Sequence, residues 1–319
     1  MVPKPLPFEQ DIHEMEELLA RLEAAPEAPG GAESIRRIRR ELVNLKREKY
    51  ANLSAWETVL VARHEDRPQA MDYVEMIFEE FVELHGDRAF GDDRAIRTGF
   101  ARLGDFKVML VGQHKGHTTA ERLQCFYGCA HPEGYRKALG KMRLAAKYRL
   151  PVICLIDTPG AYPGIGAEER GQAQLIATSI LELSRLPTPM ICVVIGEGGS
   201  GGALGIGIGD RVSMLQHAYY SVISPEGCAG ILWRAATEET KPRAAEGLRL
   251  TAADLLKFGV IDHVIPEPLG GAHRSPREMG NTLKGYLIRQ LRELTLVKPE
   301  RLLESRYGKF RGIGTWETR

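Results

Sequence analysis

No two cysteines in this 319-residue chain are spaced C-x-x-C, and no segment satisfies G-x-x-x-x-G-K-[ST]. The first absence argues against a zinc ribbon and the second excludes a GTPase. The nearest approach to the phosphate loop, at 134–141, has one residue too many and is followed by Met142. Charge of one sign is lacking as well. The 43 Lys+Arg face 42 Asp+Glu, net +1, too even for a nucleic-acid footprint over the whole surface. Residues 1–12 hold three prolines and no apolar run, so no secretory leader is read there and the mature chain is expected to begin at Met1. The one membrane-like stretch, 188–209, carries a single charge, Glu197, but eight glycines, which suits strand, turn and short buried helix rather than a spanning helix. Five cysteines (Cys125, Cys129, Cys154, Cys192, Cys228) are an odd number, and three of them lie in or beside apolar runs, as reduced core thiols do. A cytoplasmic location is expected.

What is present is an ordinary globular composition, 43% hydrophobic and 27% charged, sufficient for one large core or two smaller ones. From residue 9 to 23 six acids accompany the stripe Ile12, Met15, Leu19 and Leu22; from 33 to 49 seven Lys or Arg accompany Ile35, Ile38, Leu42 and Leu45. These spacings predict an acidic and a basic amphipathic helix, folded as a hairpin about the breaker at 26–31. The basic face then reads as the solvated partner of the acidic one rather than as a nucleic-acid or lipid surface, with exposed faces left to dock a partner. Ser54 and Glu57 have capping-box spacing, and Val74, Phe78, Phe81 and Val82 continue a helical stripe. The expected organisation is an N-terminal helical arm, 1–70, and a core, 71–319, ending in helices. Within the core, 106–111, 152–156, 190–195 and 260–265 read as strands. Helical stripes through Tyr135, Leu139, Met142 and Ala146, and through Leu175, Ile176, Ile180 and Leu183, lie between them. The class is α/β with a mostly parallel sheet.

The sharpest signal lies at 191–210, where an apolar strand runs into Gly196-Glu197-Gly198-Gly199-Ser200-Gly201-Gly202-Ala203. Three readings overlap. As G-x-G-x-x-G it would be a dinucleotide turn, which needs a full helix and an acid about 20 residues on. Here Gly205, Gly207 and Gly209 interrupt the sequel, and Ser221 stands where the acid should be. As G-x-S-x-G it would be a serine hydrolase elbow at Ser200, followed in hydrolase order by Asp254 or Asp262 and His263 or His273. A glycine-dense block produces that pattern cheaply. The third reading needs only backbone. Small residues opening a helix leave N–H groups unpaired at its positive end, an oxyanion hole; the bland version is a turn where glycines merely let helix and sheet approach.

A second small-residue loop, Asp157-Thr158-Pro159-Gly160-Ala161-Tyr162-Pro163-Gly164-Ile165-Gly166-Ala167, follows the strand at 152–156. Two such loops after successive strands are expected on one sheet edge, where α/β ligands bind, and so in one pocket. His114, His117, Cys125, Cys129 and His131 miss the usual zinc spacings and read as a polar loop. Lys115, Arg122, Arg136, Lys137 and Arg143 read as a solvated face that could also meet the phosphates of a carrier.

Six runs carry a resemblance: Gln113-His114-Lys115-Gly116, HPEGYRKAL at 131–139, DTPGAYPGIGAEERGQ at 157–172, GEGGSGGALGIGIGD at 196–210, YSVISPEGC at 220–228 and IPEPLGGAHR at 265–274. In that order they resemble the carboxyltransferase alpha subunit of bacterial-type acetyl-CoA carboxylase. His117, where the family pattern has arginine, and the pair Cys125 and Cys129 depart from it. The resemblance implies a crotonase-like spiral of ββα units. It also implies a reaction: the carboxyl group of carboxybiotin passes to acetyl-CoA, giving malonyl-CoA for fatty-acid synthesis. Carried over, the biotin-side oxyanion hole falls on the N–H groups of Gly201 and Gly202, with Ala203 as the one-residue alternative. Gly160, Gly164 and Gly166 form the opposing wall; Tyr162, Pro163, Gly198, Gly199 and Ser200 complete the biotin pocket. No side-chain base and no metal are implied in this subunit. Implied partners are a zinc-ribbon beta subunit on the acetyl-CoA side, a biotin carboxyl carrier protein and a biotin carboxylase, since the chain has no Met-Lys-Met biotinylation site. The implied carboxyltransferase assembly is two alpha and two beta subunits.

Overall fold

The computed structural model describes residues 4–24 and 31–314; of the breaker expected at 26–31, only Gly31 lies among them. The longest apolar runs become interior strands. β1 is Glu79–Glu83, β2 Ile96–Leu103, β3 Phe106–Gln113, β4 Val152–Thr158 and β5 Met190–Gly199; β6 is Arg211–Leu215, β7 Tyr219–Ser221 and β8 His263–Ile265. Every residue of β4 and β5 is buried, as strands covered on both faces should be. The sheet order is β1-β2-β3-β4-β5-β6-β8, with β7 pairing the far half of β5. β1, β2 and β3 are antiparallel neighbours; β3 to β6 and β8 run parallel, as does β7 with β5. The sheet is thus mixed at its β1-β2-β3 edge and, as expected, mostly parallel, with five of its seven pairings parallel.

Several expected boundaries move; the strand expected at 260–265 shortens to His263–Ile265 and the one at 106–111 extends to Gln113. The stripe Val74, Phe78, Phe81, Val82 is not one helix: the helix Ala70–Ile77 stops, and Phe81 and Val82 lie on β1, where antiparallel pairing with β2 overrides helical spacing. The apolar run at 190–195 continues as strand through Gly199, because β7 supplies partners for Glu197 to Gly199 that a linear reading cannot see.

The arm forms as its charge pattern predicts. Helices Gln10–Ala24 and Gly31–Ala51 pack together, bridged by Lys46 to Glu16 at 2.5 Å, Arg39 to Glu23 at 2.7 Å and Lys49 to Asp11 at 2.9 Å. The pair is tied to the core by Arg274, whose guanidinium donates to Glu9 and Glu16, both at 2.7 Å. Ser54 caps the helix Ala55–Ala62, with the Glu57 N–H donating to Ser54 Oγ at 3.2 Å and the Ser54 N–H to Glu57 Oε2 at 2.8 Å. This helix aims Arg63 at the sheet edge. No helix among the described residues is long and apolar enough to cross a membrane.

Candidate active site at the ends of three strands

β3, β4 and β5 finish side by side, and the two glycine loops leave from the ends of β4 and β5. Thr158 pairs with Gly198, so the loops start in contact. A Cβ on Gly199 would stand 2.1 Å from the Pro159 carbonyl oxygen; one on Gly202 would stand 2.6 Å from both Ala161 N and Gly160 C. The loops are pressed backbone to backbone, which only glycine permits. Ser200 then takes φ +49°, and Ser200–Leu204 forms a short helix with no side-chain cap. First-turn N–H groups, here those of Gly201 and Gly202, have no acceptor inside a helix, whereas Ala203, the fourth helical residue, sends its N–H back to the carbonyl of Gly199 at the helix cap. Gly202 and Ala203 are buried, and Gly201 is half-buried. A cavity of about 450 Å³ opens beside Gly201, walled also by Ser200, Tyr220, Val222, Leu255 and Val260.

Contact between the expected walls runs through Pro159, Gly160 and Ala161. Tyr162 turns away to stack on His131, ring centroids 4.0 Å apart, and Pro163 is exposed. Gly164 caps the helix Ile165–Glu169, which contains Gly166; these two lie against Tyr162 and Arg170 respectively. Gly198 packs on Tyr220.

The serine hydrolase alternative finds no support. Ser200 Oγ makes no hydrogen bond among the described residues, and the histidines proposed to serve it are engaged elsewhere. His263 faces Tyr286 and His273 stacks on His64 at 4.1 Å. Asp262 accepts from Val212 N–H and Lys309, and Asp254 from Thr251. The dinucleotide turn fails too, because its helix is five residues long. Among the described residues no three His, Cys, Asp or Glu side chains gather as a metal set requires. His117 instead pairs with Asp72 at 2.8 Å, which raises its pKa.

The sequence reading misplaced Lys115, which is not on a solvated face. Its Nζ stands 2.6 Å from Asp157 Oδ1 and 2.6 Å from Glu197 Oε1, the carboxylates at the starts of the two glycine loops. Arg63 Nε donates to Glu197 Oε2 at 2.7 Å, and Tyr219 OH donates to the same oxygen at 2.5 Å. Burial alone would raise the Glu197 carboxyl, but Lys115 and Arg63 outweigh it and hold it at about 2. Burial wins at Asp157, which is raised despite Lys115. The Gln113-His114-Lys115 run was visible in the sequence; its place behind both loops was not. Nor were Arg63 and Tyr219, which approach from sequence-distant elements, or the apolar cavity wall.

Among solved structures, the chain is similar in fold to a Pseudomonas malonate decarboxylase heterotetramer (TM-score 0.55, 16% identity, covering 69% of this chain and 86% of that one). It is also similar to transcarboxylase 12S (TM-score 0.53, 22% identity, 69% of this chain) and spans 42% of that chain's length. The beta subunit of P. aeruginosa geranyl-CoA carboxylase is a further neighbour (TM-score 0.55, 18% identity, covering 77% of this chain and 46% of that one). The fold is thus the crotonase-like α/β fold of carboxyltransferases. Residues 5–314 match a family model described as acetyl co-enzyme A carboxylase carboxyltransferase-like. Curated relatives bearing the name acetyl-coenzyme A carboxylase carboxyl transferase subunit alpha include one from Rhodopirellula baltica, 59% identical over 98% of this chain and 97% of its own length. Another, from Thermus thermophilus, is 49% identical over 98% of this chain and 99% of its own. The chain belongs to the family of acetyl-CoA carboxylase carboxyltransferase alpha subunits.

Proposed function

We propose that this alpha subunit binds the biotin end of the reaction, holding the carboxybiotin of a biotin carboxyl carrier protein while its carboxyl group passes to acetyl-CoA, with malonyl-CoA as product. The observation that carries the reading is the pair of helix-opening N–H groups at Gly201 and Gly202, with Gly201 lining a largely apolar cavity. Such donors fit an oxygen that gains negative charge, and each is worth about 2.7 to 4 kcal/mol of transition-state stabilisation. Glycine at 201 keeps a side chain out of the approach. Carboxybiotin, as substrate, would bring a transferable carboxyl group; the chain's own part is to hold the ureido oxygen, orient the ring and exclude water. No side-chain base is assigned, and Ser200 acts as a small loop residue. In this reading Gly160 and Pro159 back the donors, while Tyr162, Pro163, Gly164 and Gly166 continue that loop away from the cavity and are not assigned to the biotin contact. No metal is assigned to this subunit.

The beta subunit would supply the zinc ribbon and the acetyl-CoA side, in an α2β2 assembly served by a biotin carboxylase in the cytoplasm. The arm, 1–70, and the core, 71–319, would act together, since Arg63 of the arm reaches Glu197 at the site. Co-expression with a zinc-ribbon beta subunit is expected to give a stable complex that decarboxylates malonyl-CoA only when biotin is added; biotin-independent activity would overturn the reading. In that complex Ser200→Ala is expected to keep a substantial fraction of wild-type kcat. Its complete loss, with the complex intact, would revive nucleophilic chemistry at Ser200.

A further inference from the structure

Gln113 ends β3 and has no exposed surface, yet both polar atoms of its side chain are used between the two glycine loops. Nε2 donates to the Gly202 carbonyl at 2.8 Å, and Oε1 accepts from the Asp157 N–H at 3.1 Å. A carboxamide carries donor and acceptor on one plane, so it can clamp a carbonyl of one loop and an N–H of the other. The Gly202 carbonyl is available because the Ile206 N–H turns to Ala203 O instead. Its other neighbour, Tyr135 OH, donates from 3.3 Å, a longer and weaker contact. A trans peptide sets its N–H opposite its C=O. Anchoring the Gly202 carbonyl therefore fixes the plane of the peptide between Gly202 and Ala203 and, through the helical turn, the directions of the Gly201 and Gly202 N–H groups.

We propose that Gln113 is a positioning residue for the carboxyltransferase site, setting the spacing of the two loops and the aim of the oxyanion donors. This rests on the proposed reading of those donors. Gln113 touches no reacting atom; it acts through Gly202 and Asp157.

The test uses the complex with the beta subunit and follows biotin-dependent malonyl-CoA decarboxylation from about pH 6 to 8.5, with melting temperature and subunit co-elution as controls. Gln113→Met keeps the volume and loses both bonds. It is expected to lower kcat about 10²-fold at every pH while KM for biotin moves less than about threefold, since misaimed donors weaken the transition state more than ground-state binding. Gln113→Glu keeps the shape. Protonated, it again offers a donor and an acceptor; ionised, it sets a negative oxygen against the Gly202 carbonyl. Burial raises such a carboxyl, so its kcat, divided by that of wild type, is expected to climb as pH falls. The titratable groups facing this position, Asp157, Glu197, Lys115 and Tyr135, are present in wild type and variants alike, and the ratio removes their common titration. A purely structural glutamine would not give that recovery.

A methionine variant within about threefold of wild-type kcat, or a glutamate variant whose ratio is flat with pH, overturns the proposal. If the methionine variant does not fold, the glutamate ratio decides. Gly202→Val separates the two levels of argument. Turnover retained in that variant defeats the oxyanion reading itself, whereas turnover lost there but kept in Gln113→Met defeats only the role given to Gln113.

Discussion

Gly202→Ala is expected to reduce carboxyltransferase turnover by at least about 10²-fold, and Gly202→Val to abolish it. The reason differs from simple blockage of a pocket. The added methyl would lie 2.6 Å from Ala161 N and Gly160 C and 3.0 Å from Gly160 Cα, all main-chain atoms that have no rotamer to yield. Carbon contacts need about 3.5 to 4.0 Å, so the second loop must withdraw by roughly 1 Å from the first. That motion pulls the Gly202 carbonyl off Gln113 and turns the donors away from any oxygen placed against them. Position 201 provides the contrast. A Cβ there meets only Ile176 side-chain atoms, at 3.6 Å, so Gly201→Ala should leave the melting temperature and subunit assembly intact. Steady-state kinetics of the assembled complex, with melts of both variants, check the pair. Wild-type kcat in Gly202→Ala would show that the loops need not touch.

This contrast marks how far the sequence alone could be read. The two glycine loops, their placement after successive strands and their meeting on one edge were legible, because apolar runs and small-residue turns are local signals. Which glycine is tight was not. Gly199, Gly201 and Gly202 look alike in the chain, and only the approach of Pro159 to Ala161 from another strand separates them. The same limit explains Lys115. In sequence it stands among histidines and near arginines and resembles a surface cation, but Asp157 and Glu197, 42 and 82 residues away, close over it. The Ser54 cap was readable because a capping box is complete within four residues. β1 was not, because its strand state depends on pairing with β2, which lies beyond an intervening turn.

Lys115→Met is expected to destabilise the chain by about 3 to 5 kcal/mol at neutral pH, the usual consequence of removing one partner from a buried ion cluster. With the ammonium gone, Asp157 and Glu197 keep Arg63, Tyr219 and the Glu197 N–H bond to Asp157 at 2.8 Å, but lose the cation shared between them. The pH dependence follows from the direction of each shift. In the wild-type protein Glu197, held at about 2 against its burial, contributes stability above the ordinary carboxyl range, and that contribution fades as pH falls through roughly 4 towards 2. Asp157, already raised by burial, works against stability: its cost builds as pH climbs from the unfolded to the folded value and is fully present above it. In the variant both folded values move upward. A carboxyl raised above its unfolded value is tolerated below that value and costs progressively more as pH climbs through the folded one. The deficit of Lys115→Met relative to wild type should therefore be larger at pH 8 than at pH 5. Melting curves at the two pH values test this, with a loss on the order of 10 °C expected at the higher one. An equal loss at both would mean that the carboxylates do not take up the missing proton. A negligible loss would mean that Lys115 does not hold the loops together electrostatically, and the clamp would then rest on Gln113 alone.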